Sequence, residues 1–416
     1  KGGLKIYTTL DIKAQQAAEA AMKDRSFFPA TAYDSQGLLQ PQAAVVLLDP
    51  DTGAIRAMVG ERNHVANRQY NRAFQAHRLP GSAVKPILVY APAVEYLGMT
   101  PDSVVVDEPV SFGSYKPKNY DGRYRGRVTL RDALAYSINV VAVKLLNTVG
   151  LERASAFARS LGIEVDPAED GLAAALGAIH HGVTPLQMAA AYAAFANGGY
   201  YVKPYAIIRI VAPDGSVLVE YQPEAHRAMR PETASAIASM LQSAVQYGTG
   251  VKAKIDSLAA GKTGTTENSE DIWFCGWVPK MVGVVWMGWD SPRPMPRAYG
   301  GDYCARLWRH IMVQALNLRP APDTASPMPT APPTFAPKPA PPPEEKPSAP
   351  ASTPAPERPD NATQQLPMQQ GEQLQPSPPS SSSPSTSNSA QEEKINGQKE
   401  PQSLTSGYQN THQSVQ

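Results

Sequence analysis

Two cysteines among 416 residues, Cys275 and Cys304, are too few for a disulfide framework and are not spaced to bind a metal. Cys275 stands in an apolar, strand-like run, which suits a buried free thiol. Excess charge is also missing. Lys and Arg number 38 against 37 Asp and Glu, a formal net charge of +1, so nothing in the balance points to nucleic acid. No apolar run approaches the roughly twenty residues that span a bilayer, and no signal peptide is visible. The first residue is Lys1 rather than methionine. The chain therefore reads as a fragment, with any export signal or anchor upstream.

What is present is unevenly distributed. The length suffices for one large domain or two ordinary ones. The sharpest change of composition falls near Leu318. From there to the end, proline, serine, glutamine and alanine dominate stretches such as "APKPAPPPEEKPSAPASTPAPERP". Such a composition buries too little apolar surface to offset the entropy of ordering, so 319–416 is expected to be a disordered tail. The expected division is a linker region over 1–40, a domain over 41–318, and the tail.

Within 41–318, strands and helices mix. "AAVVLLDPDTGAIRAMVG" predicts a hairpin with strands over 43–48 and 54–59 around an Asp, Pro and Gly turn. "DIWFCGWVPKMVGVVWMGWD" predicts a second, turning at Pro279 and Lys280. Between them, "TPLQMAAAYAAFANGG" carries helix punctuation: Thr184 as N-cap, Pro185 at the first position, Gln187 to complete a capping box, and Gly198 and Gly199 as the stop. "RPETASAIASMLQSAVQYG" predicts another helix, from Pro231 to a stop at Gly248. Helices between hairpins, with little βαβ alternation, indicate an α+β fold: one antiparallel sheet, built from both ends of the domain, with helices on its faces. A helix is expected over 82–96, kinked or interrupted at Pro92.

Three short motifs carry chemistry. In "PGSAVKP", Ser82 and Lys85 stand at i and i+3, which share a helix face. A neutral lysine can take the proton of a serine hydroxyl and make it a nucleophile, provided burial or nearby positive charge lowers its pKa. Alone, this pair equally describes an N-cap serine beside a solvated lysine. "SIN" places Ser137 and Asn139 at the entry to an apolar helix, and "GKTGTT" places Lys262, Thr263, Gly264 and Thr265 just before the second hairpin. Each has a plain reading, as a helix start and as a turn. In this order, the three match the serine–lysine acyl-transfer set of β-lactamases and penicillin-binding proteins, with Ile138 where aspartate is usual.

On these motifs, and on "KIYTTLDIKAQQAAEAAM", "SINVVAVKLL" and "GVTPLQMAAAYAAFANGG", the chain resembles the transpeptidase domain of class A, bifunctional penicillin-binding proteins over nearly all of 3–316. The resemblance implies the penicillin-binding transpeptidase fold. It also implies an upstream glycosyltransferase domain and membrane anchor, and hence a place on the extracytoplasmic face of the bacterial cell membrane. It implies D,D-transpeptidation of stem peptides ending in D-Ala-D-Ala, with β-lactams as inhibitors and no metal or organic cofactor. By the same resemblance, Ser82 is the acylated nucleophile, Lys85 its base, Ser137 a proton shuttle, and Asn139 the residue that holds Lys85 and binds the donor. Lys262 is an electrostatic anchor, and Thr263, Gly264 and Thr265 line the substrate. The N–H groups of Ser82 and Thr265 form the oxyanion hole.

Competing readings are a serine β-lactamase or D,D-carboxypeptidase, with water as acceptor, and a β-lactam-sensing domain. No E-x-x-L-N arrangement stands between Asn139 and Lys262, which weighs against a class A β-lactamase. His180 and His181 are adjacent and expected to point apart, so they suggest no metal site. Trp273, Phe274, Trp277, Trp286 and Trp289 are expected in the core, with a stacking surface for glycan or peptide as the lesser reading.

Overall fold

A computed structural model describes residues 3–64, 69–256 and 259–319. Its centre is a five-stranded antiparallel sheet. The strands are β1 (Gln42–Leu48), β2 (Ile55–Val59), β3 (Ala260–Thr265), β4 (Asp271–Val278) and β5 (Met281–Gly288). Their order is β3-β4-β5-β1-β2, so the two expected hairpins join edge to edge where β5 pairs with β1. The "KTG" strand, β3, lies at the open edge and pairs only with β4.

The near-continuous apolar strands follow from burial on both faces. Successive side chains alternate between faces, and the structure divides them into two cores. Ala44, Val46, Trp273, Cys275, Val284 and Trp286 face one way, and Ala43, Val45, Phe274, Val285 and Met287 the other. The first face is covered by α4 (Pro185–Ala196) and α5 (Pro231–Gln246), and α3 (Asn139–Val149) contributes to the same core. The second is covered by α1 (Ile12–Lys23) and α6 (Cys304–Leu316). The predicted capping box on α4 forms in full: Thr184 Oγ1 accepts from the N–H of Gln187, whose side chain accepts from the N–H of Thr184.

Two expectations change and one is refined. Within the stretch expected to be a linker, α1 buries Ala14, Ala18, Ala21 and Met22 in the second core, because its small residues let it lie close to the sheet and α6. The helix expected over 82–96, interrupted at Pro92, forms with the break just before that proline: a 3-10 turn at Gly81–Val84, a π turn at Pro86–Tyr90, and α2 (Ala91–Leu97). Pro92 has no N–H to donate. The π turn before it takes up the break, with the Ala91 N–H reaching back five residues to Pro86 O. His180 and His181 do not point apart. A turn closed by the Gly182 N–H on Ile179 O brings their rings to 5.0 Å, edge to face, and His180 Nε2 lies 3.2 Å from Glu169. Among the described residues no group of three His, Cys, Asp or Glu could hold a metal ion, and no helix is long and apolar enough to cross a membrane. The expected tail, apart from Arg319, lies outside the described residues.

Helix α6 docks through one residue in particular. Trp308, fully buried, donates its indole N–H to Gly283 O at 3.0 Å. A Cβ at Gly283 would stand 2.5 Å from that indole nitrogen and 3.2 Å from Leu47. Gly283→Ala should therefore overpack this junction and cost about 1–3 kcal/mol. At roughly 2–4 °C per kcal/mol, thermal denaturation should show a midpoint several degrees lower. An unchanged midpoint would show that the α6 seam has slack the packing does not reveal.

Candidate active site

The nucleophile candidate sits where the chain has no room for anything but glycine. Ser82 follows Gly81, whose φ of +52° is left-handed. A Cβ on Gly81 would stand 2.7 Å from Thr265 O, and one on Gly264 would stand 2.5 Å from Pro80 O. Gly177 presses on Gly81 from the other side, where a Cβ would collide with the Gly81 backbone. Three glycines thus let the serine turn wedge against the edge of β3. Two buried aromatics then fasten the turn: Tyr192 of α4 donates to Ala83 O at 2.7 Å, and Trp273 donates its indole N–H to Leu79 O at 2.9 Å. Ser82 is no N-cap. It lies inside the 3-10 turn, whose cap position is Pro80, and among the described residues its hydroxyl takes no hydrogen bond.

Lys85 is not solvated either. It is fully buried, and its ammonium donates to Ser137 O at 2.7 Å, Ser137 Oγ at 3.3 Å and Asn139 Oδ1 at 2.7 Å. Ser137 is one of few non-glycine residues with positive φ, at +58°. That bend turns both its carbonyl and its hydroxyl to Lys85 and starts α3 one residue later, after Ile138. Lys262, also fully buried, donates to the same Ser137 Oγ at 2.9 Å and to Thr263 O at 3.1 Å. The structure therefore joins all three motifs around one hydroxyl.

Among the described residues neither lysine has a carboxylate partner. Burial pushes Lys85 well below the ordinary lysine range, and the positive charge of Lys262 adds to the effect. Burial lowers Lys262 to about 7, with Cys275 opposing it. The neighbouring Cys275, directly across the ladder from Lys262, is a buried thiol pushed well up from its ordinary range.

Thr263 and Thr265 turn away from the lysines. Thr263 shares a hydroxyl hydrogen bond of 2.7 Å with Thr249, and Thr265 Oγ1 accepts from the Gly300 N–H at 3.2 Å. Sequence reasoning missed the supports. Asn119 Oδ1 accepts from the N–H groups of Asn139 and Val140 at 3.0 and 3.1 Å, holding the start of α3. Its amide donates in turn to both oxygens of buried Asp107. Asn119 lies in the polar stretch "KPKNYDG" and Asp107 at the end of the strand Val104–Asp107. The aromatic cluster is core for Trp273, Phe274, Trp277 and Trp286, all buried, with Trp289 partly buried.

The comparisons with known proteins agree with this geometry. A family model described as the penicillin binding protein transpeptidase domain matches residues 43–313. Penicillin-binding protein 1F of Bacillus subtilis is 37% identical over 322 residues, which cover 76% of this chain and 44% of that protein. Penicillin-binding protein 1A of Neisseria lactamica is 40% identical over 294 residues, 67% of this chain and 36% of that protein. The structure of PonA1 from Mycobacterium tuberculosis in complex with penicillin V shares 26% identity at a TM-score of 0.65, covering 76% of this chain and 86% of that one. The chain thus spans less than half the length of the curated relatives it matches.

Lys262 gives this site a measurable stability signature. It titrates at an ordinary 10.5 when unfolded and at about 7 when folded. Between those values the unfolded chain holds a proton that the folded protein does not. Stability from this group therefore rises with pH across the window, and the cost is complete below about 7. A shift of that size corresponds to on the order of 5 kcal/mol. Lys262→Met should make the domain more stable than the parent at pH 7, by at least about 1 kcal/mol after its lost hydrogen bonds. The advantage should shrink as pH rises towards 10. Denaturant unfolding of both proteins at pH 7 and 9.5 measures it, and an advantage that grows with pH would contradict the assignment.

Proposed function

The chain belongs to the penicillin-binding protein transpeptidase family, and from that premise we propose that it is a D,D-transpeptidase that cross-links peptidoglycan stem peptides through an acyl-serine on Ser82. One observation carries the reading: Lys85, three residues after Ser82, is buried, has no counter-carboxylate among the described residues, and shares the Ser137 hydroxyl with a second buried lysine. A lysine in that setting is stored in its neutral, proton-accepting form, which a serine nucleophile needs.

In the proposed reaction, Lys85 takes the Ser82 proton as Oγ bonds to the carbonyl carbon of the penultimate D-alanine. The developing oxyanion is met by the backbone N–H groups of Ser82 and Thr265. The C–N bond then breaks, and the leaving D-alanine nitrogen receives a proton through Ser137, which can accept from one lysine and donate onward. An amine of a second stem peptide attacks the ester carbonyl, loses a proton to Lys85, and expels Ser82 Oγ, which is reprotonated. Asn139 holds Lys85 and the donor amide, Lys262 sets the local charge, and Thr263, Gly264 and Thr265 offer the open strand edge to the donor and its terminal carboxylate. β-Lactams follow the first half: the ring amide opens on Ser82. No step calls for a metal or organic cofactor. The domain is proposed to run to about residue 318, with α1 packed onto it, and to work on the extracytoplasmic face of the membrane.

A fluorescent penicillin should label the protein once, on the peptide containing Ser82, and Ser82→Ala should abolish labelling while the protein stays folded. Lys85→Arg separates catalysis from support. Guanidinium stays protonated at any tolerated pH and cannot accept the serine proton. Second-order acylation by a chromogenic β-lactam should fall by about a hundredfold or more. In the parent, the rate should rise with pH through a midpoint well below 10.5. An adduct on another residue, or an arginine variant within a few-fold of the parent, would remove these roles.

A further inference from the structure

Two loops stand on opposite walls of the site. On one wall, residues 118–120 are tied to the start of α3. Lys118 O accepts from Asn139 Nδ2 at 3.1 Å, and Asn119 holds the Asn139 and Val140 N–H groups. On the other wall, residues 299–301 are laid against β3. The Gly300 N–H reaches Thr265 Oγ1, and a Cβ at Gly300 would collide with Gly264 O and Trp273 O. Between the walls lie the Lys85, Ser137 and Lys262 contacts. The two loops meet across that interval. Tyr120 donates its hydroxyl to the Tyr299 hydroxyl at 2.6 Å, with the rings edge to face at 5.8 Å.

Nothing in the packing demands this contact. Tyr120 is 75% exposed, so its ring is held out over the site by the Asn119–Asp107 anchor rather than drawn into a core. We propose that Tyr120 and Tyr299 form a strap over the mouth of the cleft, which sorts acyl donors by what they carry beyond the reacting amide. A donor small enough to pass beneath leaves the strap closed, and a donor with a bulky side chain must part the two hydroxyls. This inference rests on the acyl-transfer reading of Ser82. The hydrogen bond raises Tyr120 to about 12, so the strap keeps its proton throughout the working pH range. A neutral, exposed hydrogen bond of this kind sets the size of the effect at about two- to tenfold in rate.

The test compares the parent, Tyr120→Phe, Tyr299→Phe and the double variant. Phenylalanine keeps each ring and removes only the hydroxyl. Two probes are used: 6-aminopenicillanic acid, which has no acyl side chain, and a penicillin carrying a bulky dye at the same amine. Second-order acylation by the bulky probe should rise about two- to tenfold in either single variant. It should rise no further in the double, because one bond is removed in all three. Acylation by the small probe should stay within twofold. A rise shared by both probes, an additive double variant, or a slower bulky probe would overturn the strap. If neither probe acylates the parent at Ser82, the acyl-transfer reading itself fails, and that outcome is distinct from the other three.

Discussion

One serine hydroxyl shared by two buried lysines is the constraint from which the rest of this structure follows. Two ammonium groups cannot both be charged at close range inside a protein without a large penalty. Here no carboxylate among the described residues relieves it. The fold instead supplies Lys85 with three acceptors, and Lys262 with two, while burial pushes both below the ordinary lysine range and so makes the proton easier to lose. What costs stability is what produces a base. A carboxylate partner would have stabilised the lysines and held them protonated.

Holding this cluster requires three elements far apart in the chain to meet with little tolerance. The serine turn, the start of α3 and the edge strand β3 converge because glycine stands wherever backbones touch, at Gly81, Gly177 and Gly264. The two-faced sheet behind them is rigid for the same reason that its strands are apolar: it is packed on both sides, by α4 and α5 on one and by α1 and α6 on the other. Core residues thereby become part of the site. Tyr192 and Trp273 each fill the core and spend their one polar atom on the carbonyls flanking Ser82.

Much of this was legible in the order of residues. The hairpins, the capping box of α4 and the burial of Cys275 depend on local period and punctuation, and they form as expected. The helix over 82–96 and its interruption at Pro92 were legible too, but the form of the break, a 3-10 turn followed by a π turn, was not, because propensity treats each position alone. The packing of α1 was missed because its buried stripe, Ala14, Ala18, Ala21 and Met22, is mostly alanine, a weak apolar signal until a partner surface exists. Asn119 and Asp107 were invisible for a related reason. A polar loop residue declares its partner only when the chain returns to it, and Asn119 finds α3 some 20 residues on.

By itself, the sequence determined the motif chemistry, the two hairpins, the capped helices between them and the α+β class, because periodicity, caps and residue type are local properties. Which state each lysine adopts was decided only by the tertiary structure, since a pKa depends on burial and on charges brought near by folding. So was the choice between Ser82 as a helix cap and Ser82 as a free hydroxyl beside β3. That choice turns on Gly177 and Gly264, which lie about 100 and 180 residues away and reach the serine turn only in the folded chain.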